Sequence, residues 1–100
     1  MFTLRTAMAF AHYFSGRYDE AWSWAERAMR DRPDILLVVC AAAASAAMAG
    51  LGDQASQTMI RFMQLDPEMR ISTIGALVPV RRPEDRALLA EGLRKAGLPE

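Results

Sequence analysis

Residues 16–33 read GRYDEAWSWAERAMRDRP and residues 50–67 read GLGDQASQTMIRFMQLDP, so that the second stretch echoes the first at a fixed interval. Gly16, Ala21 and Pro33 return as Gly50, Ala55 and Pro67, while Asp19 returns as Asp53 and Met29 as Met63. Glycine, alanine and proline serve different backbone purposes. Their joint return at one interval therefore marks a structural unit rather than a compositional accident. A period of about 34 residues is that of a helix–turn–helix repeat. Such a stack presents a surface for holding something more naturally than it encloses a reaction.

Working outward from these stretches, proline and glycine punctuate the chain where helices begin and end. Pro33, Pro67, Pro83 and Pro99 cannot lie inside a helix without losing a hydrogen bond. Gly16, Gly50 with Gly52, and Gly97 stand where helices should stop. The intervening segments predict helices over 2–15, 19–31, 34–49 and 53–65. A shorter fifth helix is expected from Pro67–Glu68 to about Leu77, and a sixth from Pro83 to just before Gly97. Asp19 and Glu20 suit a helix N-terminus, and Asp53 is the expected N-cap of the fourth helix. In the last helix Leu88, Leu89, Leu93 and Ala96 have the spacing of one buried stripe. The repeat register does not extend to a third copy, because Glu84 and Leu89 stand one period beyond Gly50 and Ala55. The charged outer face of the last helix is that of a cap.

The bulk composition narrows the class. A hundred residues make one domain at most. Twelve basic and twelve acidic residues cancel, so no broad electrostatic footprint for nucleic acid or anionic lipid is expected. Cys40 is the only cysteine, which excludes an internal disulfide and a cysteine-based zinc site, and it fits a cytoplasmic setting. Arg5 interrupts the N-terminal apolar run, which therefore does not read as a signal peptide. The uncharged run Ile35–Ala49 falls short of the roughly 20 residues that span a bilayer. More than half of it is alanine or serine. A helix apolar all round is a membrane span or a helix enclosed by neighbours, and the length favours enclosure.

The segment GRYDEAWSWAERAMRDRP resembles the second half of a tetratricopeptide repeat through Gly16, Tyr18, Asp19, Glu20, Ala21, Ala28 and Pro33. The second copy keeps Gly50, Asp53, Ala55, Asp66 and Pro67. The resemblance covers about residues 3–67 and implies an all-α, tetratricopeptide-like α-α superhelix. That architecture comprises two helix pairs, a short helix and a C-terminal capping helix within a single domain, 1–100. Repeat 1 would span about 2–33, repeat 2 about 34–67 and the cap about 68–97. Small side chains at Ala9, Ala21 and Ala28 let paired helices approach closely. The chain departs from the family at its usual first-helix tryptophan, here Arg5 and Val39, and at its glycine, here Ala9 and Ala43. Its large second-helix aromatic is Ala25 in one copy and Met59 in the other. Phe62 replaces a small residue, so the second pair is expected to be splayed or repacked there. The end of the chain, VPVRRPEDRALLAEGLRKAGLPE, is similar to the C-terminus of repeat domains attached to bacterial adenylate/guanylate cyclases and winged-helix regulators. That likeness implies the tail of a longer signalling protein, with no residue of a cyclase or DNA-binding domain present.

The resemblance places the first helix of each pair on a concave side. Thr6, Phe10, Tyr13 and Phe14, with Thr3, would then face the same way as Leu37, Cys40, Ala44 and Met48, with Ala47, and Ile71 and Ile74 would extend the line. This stripe is either an apolar groove for an amphipathic helix or extended segment, or it is buried by the closing helix or by further repeats. The carboxylate clamp of some tetratricopeptide proteins is excluded, because Thr6, Phe10, Leu37 and Cys40 occupy its places. His12 reads as a core or half-buried residue and Cys40 as an inert buried thiol. Arg81, Arg82 and Arg86 are interleaved with Glu84 and Asp85 and read as a solvated, locally paired segment. Trp22 and Trp24 lie about 200° apart around a helix, so one should be exposed or covered by a partner. The N-terminal end, from Met1 and Phe2 onward, lacks a covering repeat, which favours a weak homodimer.

Together these features predict a non-catalytic protein–protein interaction or regulatory module without cofactor or metal. Its expected partner is a protein or peptide with an apolar face, in trans or in the same polypeptide, rather than nucleic acid or membrane. A structural dimerisation or spacer element is the alternative.

Overall fold

The computed structural model describes residues 2–78 and 80–100, with side chains from Leu4 onward. Met1, the side chains of Phe2 and Thr3, and Pro79 lie outside the described residues, as do the expectations that fall on them. All described regular structure is helical: α1 (Phe2–Phe14), α2 (Tyr18–Asp31), α3 (Leu36–Met48), α4 (Gly52–Leu65), a single 3₁₀ turn (Ile71–Thr73), α5 (Ile74–Leu77) and α6 (Pro83–Ala96).

The sequence period is also a period of backbone geometry. The end of α1 and both ends of α2 recur one full period later in α3 and α4. Gly16 has φ +81° and Gly50 has φ +80°, the left-handed region open to glycine. At the first, Arg17 N–H donates to His12 C=O and Gly16 N–H to Tyr13 C=O, at 2.9 and 3.1 Å. At the second, Leu51 donates to Ala46 and Gly50 to Ala47, at 2.9 and 3.3 Å. Both turns are Schellman motifs, which satisfy carbonyls that a helix end otherwise leaves unpaired. The residue entering α2, Arg17, has φ −94° and ψ 73°, and its counterpart Leu51 has φ −94° and ψ 71°.

Helix starts differ from the sequence expectation in detail. Leu51, not Asp53, precedes α4, and Asp53 lies in the first turn, where its charge still meets the helix dipole. The third helix begins at Leu36 rather than residue 34. Asp34 is held instead by the Arg32 guanidinium, through two hydrogen bonds of 3.1 Å. No helix starts at Pro67–Glu68. Glu68 N–H donates to the Asp66 carboxylate, a side-chain turn that competes with helix formation, and helical structure resumes only at Ile71.

α3 is the centre of the molecule. It packs against α1, α2, α4 and α6, and the whole stretch Val38–Ala46 is buried without a break. The alanine run explains this arrangement: with a methyl group on every side, helices can approach from several directions at once. The large side chains come from the neighbours, where Phe62 and Met59 of α4 and Leu89 and Leu93 of α6 join one cluster with Ala43, Ala44 and Ala46. Phe62 is wholly buried in that cluster. The buried Ser45 hydroxyl finds no hydrogen-bond partner among the described residues.

α6 opens on Pro83, carries Glu84 and Asp85 in its first turn and Arg94 and Lys95 in its last, and stops at Gly97, whose φ is +113°. Leu98 N–H returns to Leu93 C=O at 2.9 Å, a third Schellman closure, with both leucines buried. The chain end then lies along the 3₁₀ turn: Ile71 N–H donates to Pro99 C=O at 2.9 Å and Ser72 N–H to Glu100 C=O at 3.3 Å. Since α6 lies back across α3, the molecule is nearly isometric, with extents of 29 × 28 × 23 Å.

Candidate interaction surface

Of the expected stripe, Phe10, Tyr13, Phe14, Leu37, Cys40, Ala44 and Met48 belong to or pack against one core cluster, which Leu89 and Leu93 of α6 share. Thr6, Tyr13, Cys40 and Ala44 are buried, while Phe10, Phe14, Leu37 and Met48 are half-buried. The point of closure is Gly92 of α6, which sits against the Tyr13 hydroxyl, the Ala44 carbonyl and Met48 Cγ. Tyr13 donates from its hydroxyl to Leu88 C=O at 2.5 Å. Of the two arrangements the sequence leaves open, coverage by the closing helix therefore holds at Tyr13, Ala44 and Met48. Phe10 and Phe14 remain along the edge, with ring centroids 6.0 Å apart and nearly parallel. Phe14 and Tyr18 both meet the Tyr13 ring edge-on, with centroids 5.4 Å away in each case. Ile74 is buried and Ile71 half-buried.

Burial sets the chemistry of the two ionisable groups in this core. Desolvation pushes the Cys40 thiol up to about 12, so no thiolate forms there at neutral pH. The Tyr13 phenol is raised above its ordinary value, first by burial and then by the charges of neighbouring groups. His12 is half-buried at the end of α1, where its Nδ1 accepts from Arg17 Nε at 3.0 Å and lies 3.3 Å from the Glu20 carboxylate. Among the described residues no group of histidine, cysteine, aspartate and glutamate has the arrangement to hold a metal ion.

Two further surfaces stand out, the second of them at the N-terminal end that the sequence reading leaves uncovered. The first is a cleft of about 860 Å³ between the 71–75 segment and α6, with an apolar floor of Ile71, Ile74, Val80, Ala87 and Ala90 and a rim of Arg81, Arg86 and Arg94. The arginines near it are partly committed. Arg86 donates to Val80 C=O at 3.0 Å, Arg82 lies 3.7 Å from Glu84, and Arg94 grips Glu100 at 2.7 and 3.0 Å. That grip holds the Glu100 carboxyl below its usual range. The second surface is the outer side of α1, where Leu4, Ala7 and Ala11 are exposed and Met8 is half-buried. Their sequence signal was the period itself, since they stand one repeat before Val38, Ala41, Ala42 and Ser45. Trp22 and Trp24 are both half-buried. Trp22 lines a groove between α2 and α4, and the Arg27 guanidinium lies over Trp24 at 5.3 Å.

The structure thus defines an all-helical protein built on an internal repetition of two helix pairs, with a closing helix across one side. Comparison with protein-family models, with curated proteins and with solved structures returns no match. Among the described residues, no helix is long and apolar enough to cross a membrane.

Proposed function

We propose that this chain is a non-catalytic protein–protein interaction module of tetratricopeptide type, serving as the C-terminal part of a larger bacterial signalling protein in the cytoplasm. The observation that carries the reading is the return of whole helix boundaries and turn geometry at the interval of the sequence repeat. That repetition builds a rigid stack whose remaining apolar surface is displayed at its margins. The likeness of the segment 78–100 to the ends of cyclase- and regulator-linked repeat domains supports the signalling context. With α6 lying over Tyr13 and Ala44, a partner would meet the Phe10–Phe14 edge or the outer side of α1 rather than a deep concave groove. Affinity would come from a few apolar anchors.

The same geometry favours the second reading, a structural dimerisation or spacer element. The central aromatic Tyr13 is buried, while Leu4 at the end of the stack is 63% exposed. Affinity capture with the chain as bait tests the interaction reading, using wild type, Leu4→Arg, and Phe10→Ala with Phe14→Ala. Specific proteins retained by wild type and lost with either variant, at unchanged helix content, support it. Retention indifferent to both variants overturns it.

A further inference from the structure

The cleft between the 71–75 segment and α6 is lined by three arginines and, among the described residues, by no acid. The chain as a whole has as many acids as bases, so the cleft holds a local excess of positive charge around an apolar floor. Both of its walls come from described elements: Ile71 and Ile74 on one side, Ala87 and Ala90 of α6 on the other. Its volume of about 860 Å³ lies within the range of ligand-holding clefts. The acids of this region stand elsewhere. Glu84 lies 3.7 Å from Arg82, and neither Glu84 nor Asp85 lines the cleft. The arginines differ in their commitments. Arg86 is pinned at the mouth by a hydrogen bond of 3.0 Å to Val80 C=O, which leaves its other N–H groups to point elsewhere. Arg81 is exposed and has no hydrogen-bond or ion-pair partner among the described residues.

We infer that this cleft is a docking site for a short acidic segment of another protein, with an apolar side chain on its floor and carboxylates against Arg81 and Arg86. The inference goes beyond the interaction reading above, since it gives the chain a second docking place, apart from the Phe10–Phe14 edge and the outer side of α1. Charge complementarity selects the occupant. Guanidinium groups hold carboxylates through paired N–H donors, and the chain displays that pairing at the Arg94 edge of the cleft. There Arg94 Nε and Nη2 donate to the two oxygens of the Glu100 carboxylate, at 2.7 and 3.0 Å. Beside it the Ile71 and Ser72 N–H groups donate to the carbonyls of Pro99 and Glu100, so this wall already holds a stretch of chain that carries an acid. A nucleic acid or an anionic membrane surface is met by a broad field of cations, which a chain of cancelling charge does not offer. A simple inorganic anion would leave the floor of Ile71, Val80 and Ala87 unused, because apolar surface attracts only a ligand with apolar surface of its own.

Titration of the full chain followed by its backbone amide NMR signals tests this. The probe is an amidated peptide of alternating leucine and glutamate, compared with the same peptide carrying lysine for glutamate and with decanoate. The expected result is a set of shifts around Ile71, Ser72, Ala87 and Ala90 with the acidic peptide and none with the lysine peptide. Arg81→Glu should weaken binding about tenfold. Lys95→Glu makes the same change of charge on the exposed side of α6, outside the cleft, and should alter binding less than about twofold. Since Arg81 has no partner to lose, its variant should keep the helix content and Tm of wild type. Absence of shifts at the cleft up to about millimolar peptide overturns the inference. So does equal binding of the lysine peptide, or an equal loss in Arg81→Glu and Lys95→Glu, which would reduce the effect to net charge. Binding of decanoate without binding of the peptide overturns it too and makes the cleft a small-molecule site. The interaction-module reading is tested by capture at Leu4 and the Phe10–Phe14 edge, which these titrations do not touch, so the two fail separately.

Discussion

Gly92 shows how much of this structure turns on single positions. Glycine in the middle of a helix is about 1 kcal/mol worse than alanine, so propensity alone says that Gly92→Ala should stabilise α6. Packing says otherwise: a Cβ at residue 92 would collide with the Tyr13 hydroxyl and press on the Ala44 carbonyl, 3.1 Å away. Neither neighbour can yield cheaply. The Tyr13 side chain is wholly buried and bonded to Leu88 C=O, and the carbonyl belongs to the central helix. Overpacking of this kind costs about 1–3 kcal/mol, and breaking a buried hydrogen bond adds about 1 kcal/mol. The net expectation for Gly92→Ala is a loss of about 2 kcal/mol, or roughly 10 °C in Tm for a domain of this size, measurable by urea and thermal unfolding. A stabilised variant would mean that α6 does not sit this close to α1 and α3. Tyr13 was legible in the sequence as a residue of the concave stripe. Its role as the post against which α6 closes was not, because nothing in the spacing of α6 marks Gly92 as a contact rather than a weak helix position.

At the scale of elements, most of the fold could be read from punctuation. The two glycines at φ near +80°, the prolines after each pair and the alanines at the crossings are residues whose geometry leaves few choices, so the four long helices and their pairing were legible. What failed was the segment 67–77, where β-branched residues, Asp66 and Pro67 compete with helix formation and the outcome depends on tertiary partners. Two of its backbone N–H groups, Ile71 and Ser72, donate to Pro99 and Glu100, residues far away in sequence that local reading cannot bring near. The equivalence of the two turns makes a quantitative prediction. A Cβ at Gly16 or Gly50 would meet nothing within 4 Å, so alanine there is penalised only by its left-handed backbone, about 1–2 kcal/mol. Reduced freedom of the unfolded chain returns about 0.4–1 kcal/mol. Gly16→Ala and Gly50→Ala should each destabilise by about 1 kcal/mol and agree within about 0.5 kcal/mol, as read from urea midpoints. A large inequality would show that the repeated turns are not equivalent in energy.

For the whole molecule, the consequence of a core assembled around an alanine helix is that its ionisable groups are enclosed by several long helices at once. Cys40 and Tyr13 belong to the same cluster, and both are shifted upward by burial. The candidate surface was only half legible for the same reason: the resemblance put Phe10, Tyr13, Phe14, Cys40 and Ala44 on one side and left open whether the closing helix buries them, because that choice is a property of the assembled fold. The pH dependence of stability follows. Above pH 9, the ordinary value of the thiol, the unfolded chain loses the Cys40 proton while the folded chain keeps it up to about 12. The unfolded state then binds fewer protons, so stability falls with rising pH by about 1.4 kcal/mol per unit for each such group. The contribution is fully present below pH 9 and is lost through the window from 9 to about 12. Above the ordinary tyrosine value of 10.0, Tyr13 acts in the same direction and steepens the fall. Against a total stability of about 5–15 kcal/mol, these two groups are enough to bring alkaline unfolding into an accessible range. Urea midpoints measured from about pH 8 to about pH 11 should be level at first and decline beyond the ordinary thiol value. In Cys40→Ala the decline should begin nearer the ordinary tyrosine value, whatever the offset that the small cavity imposes. An unchanged onset in that variant would place the thiol in contact with solvent, and with it the face of α3 that α6 is held to enclose.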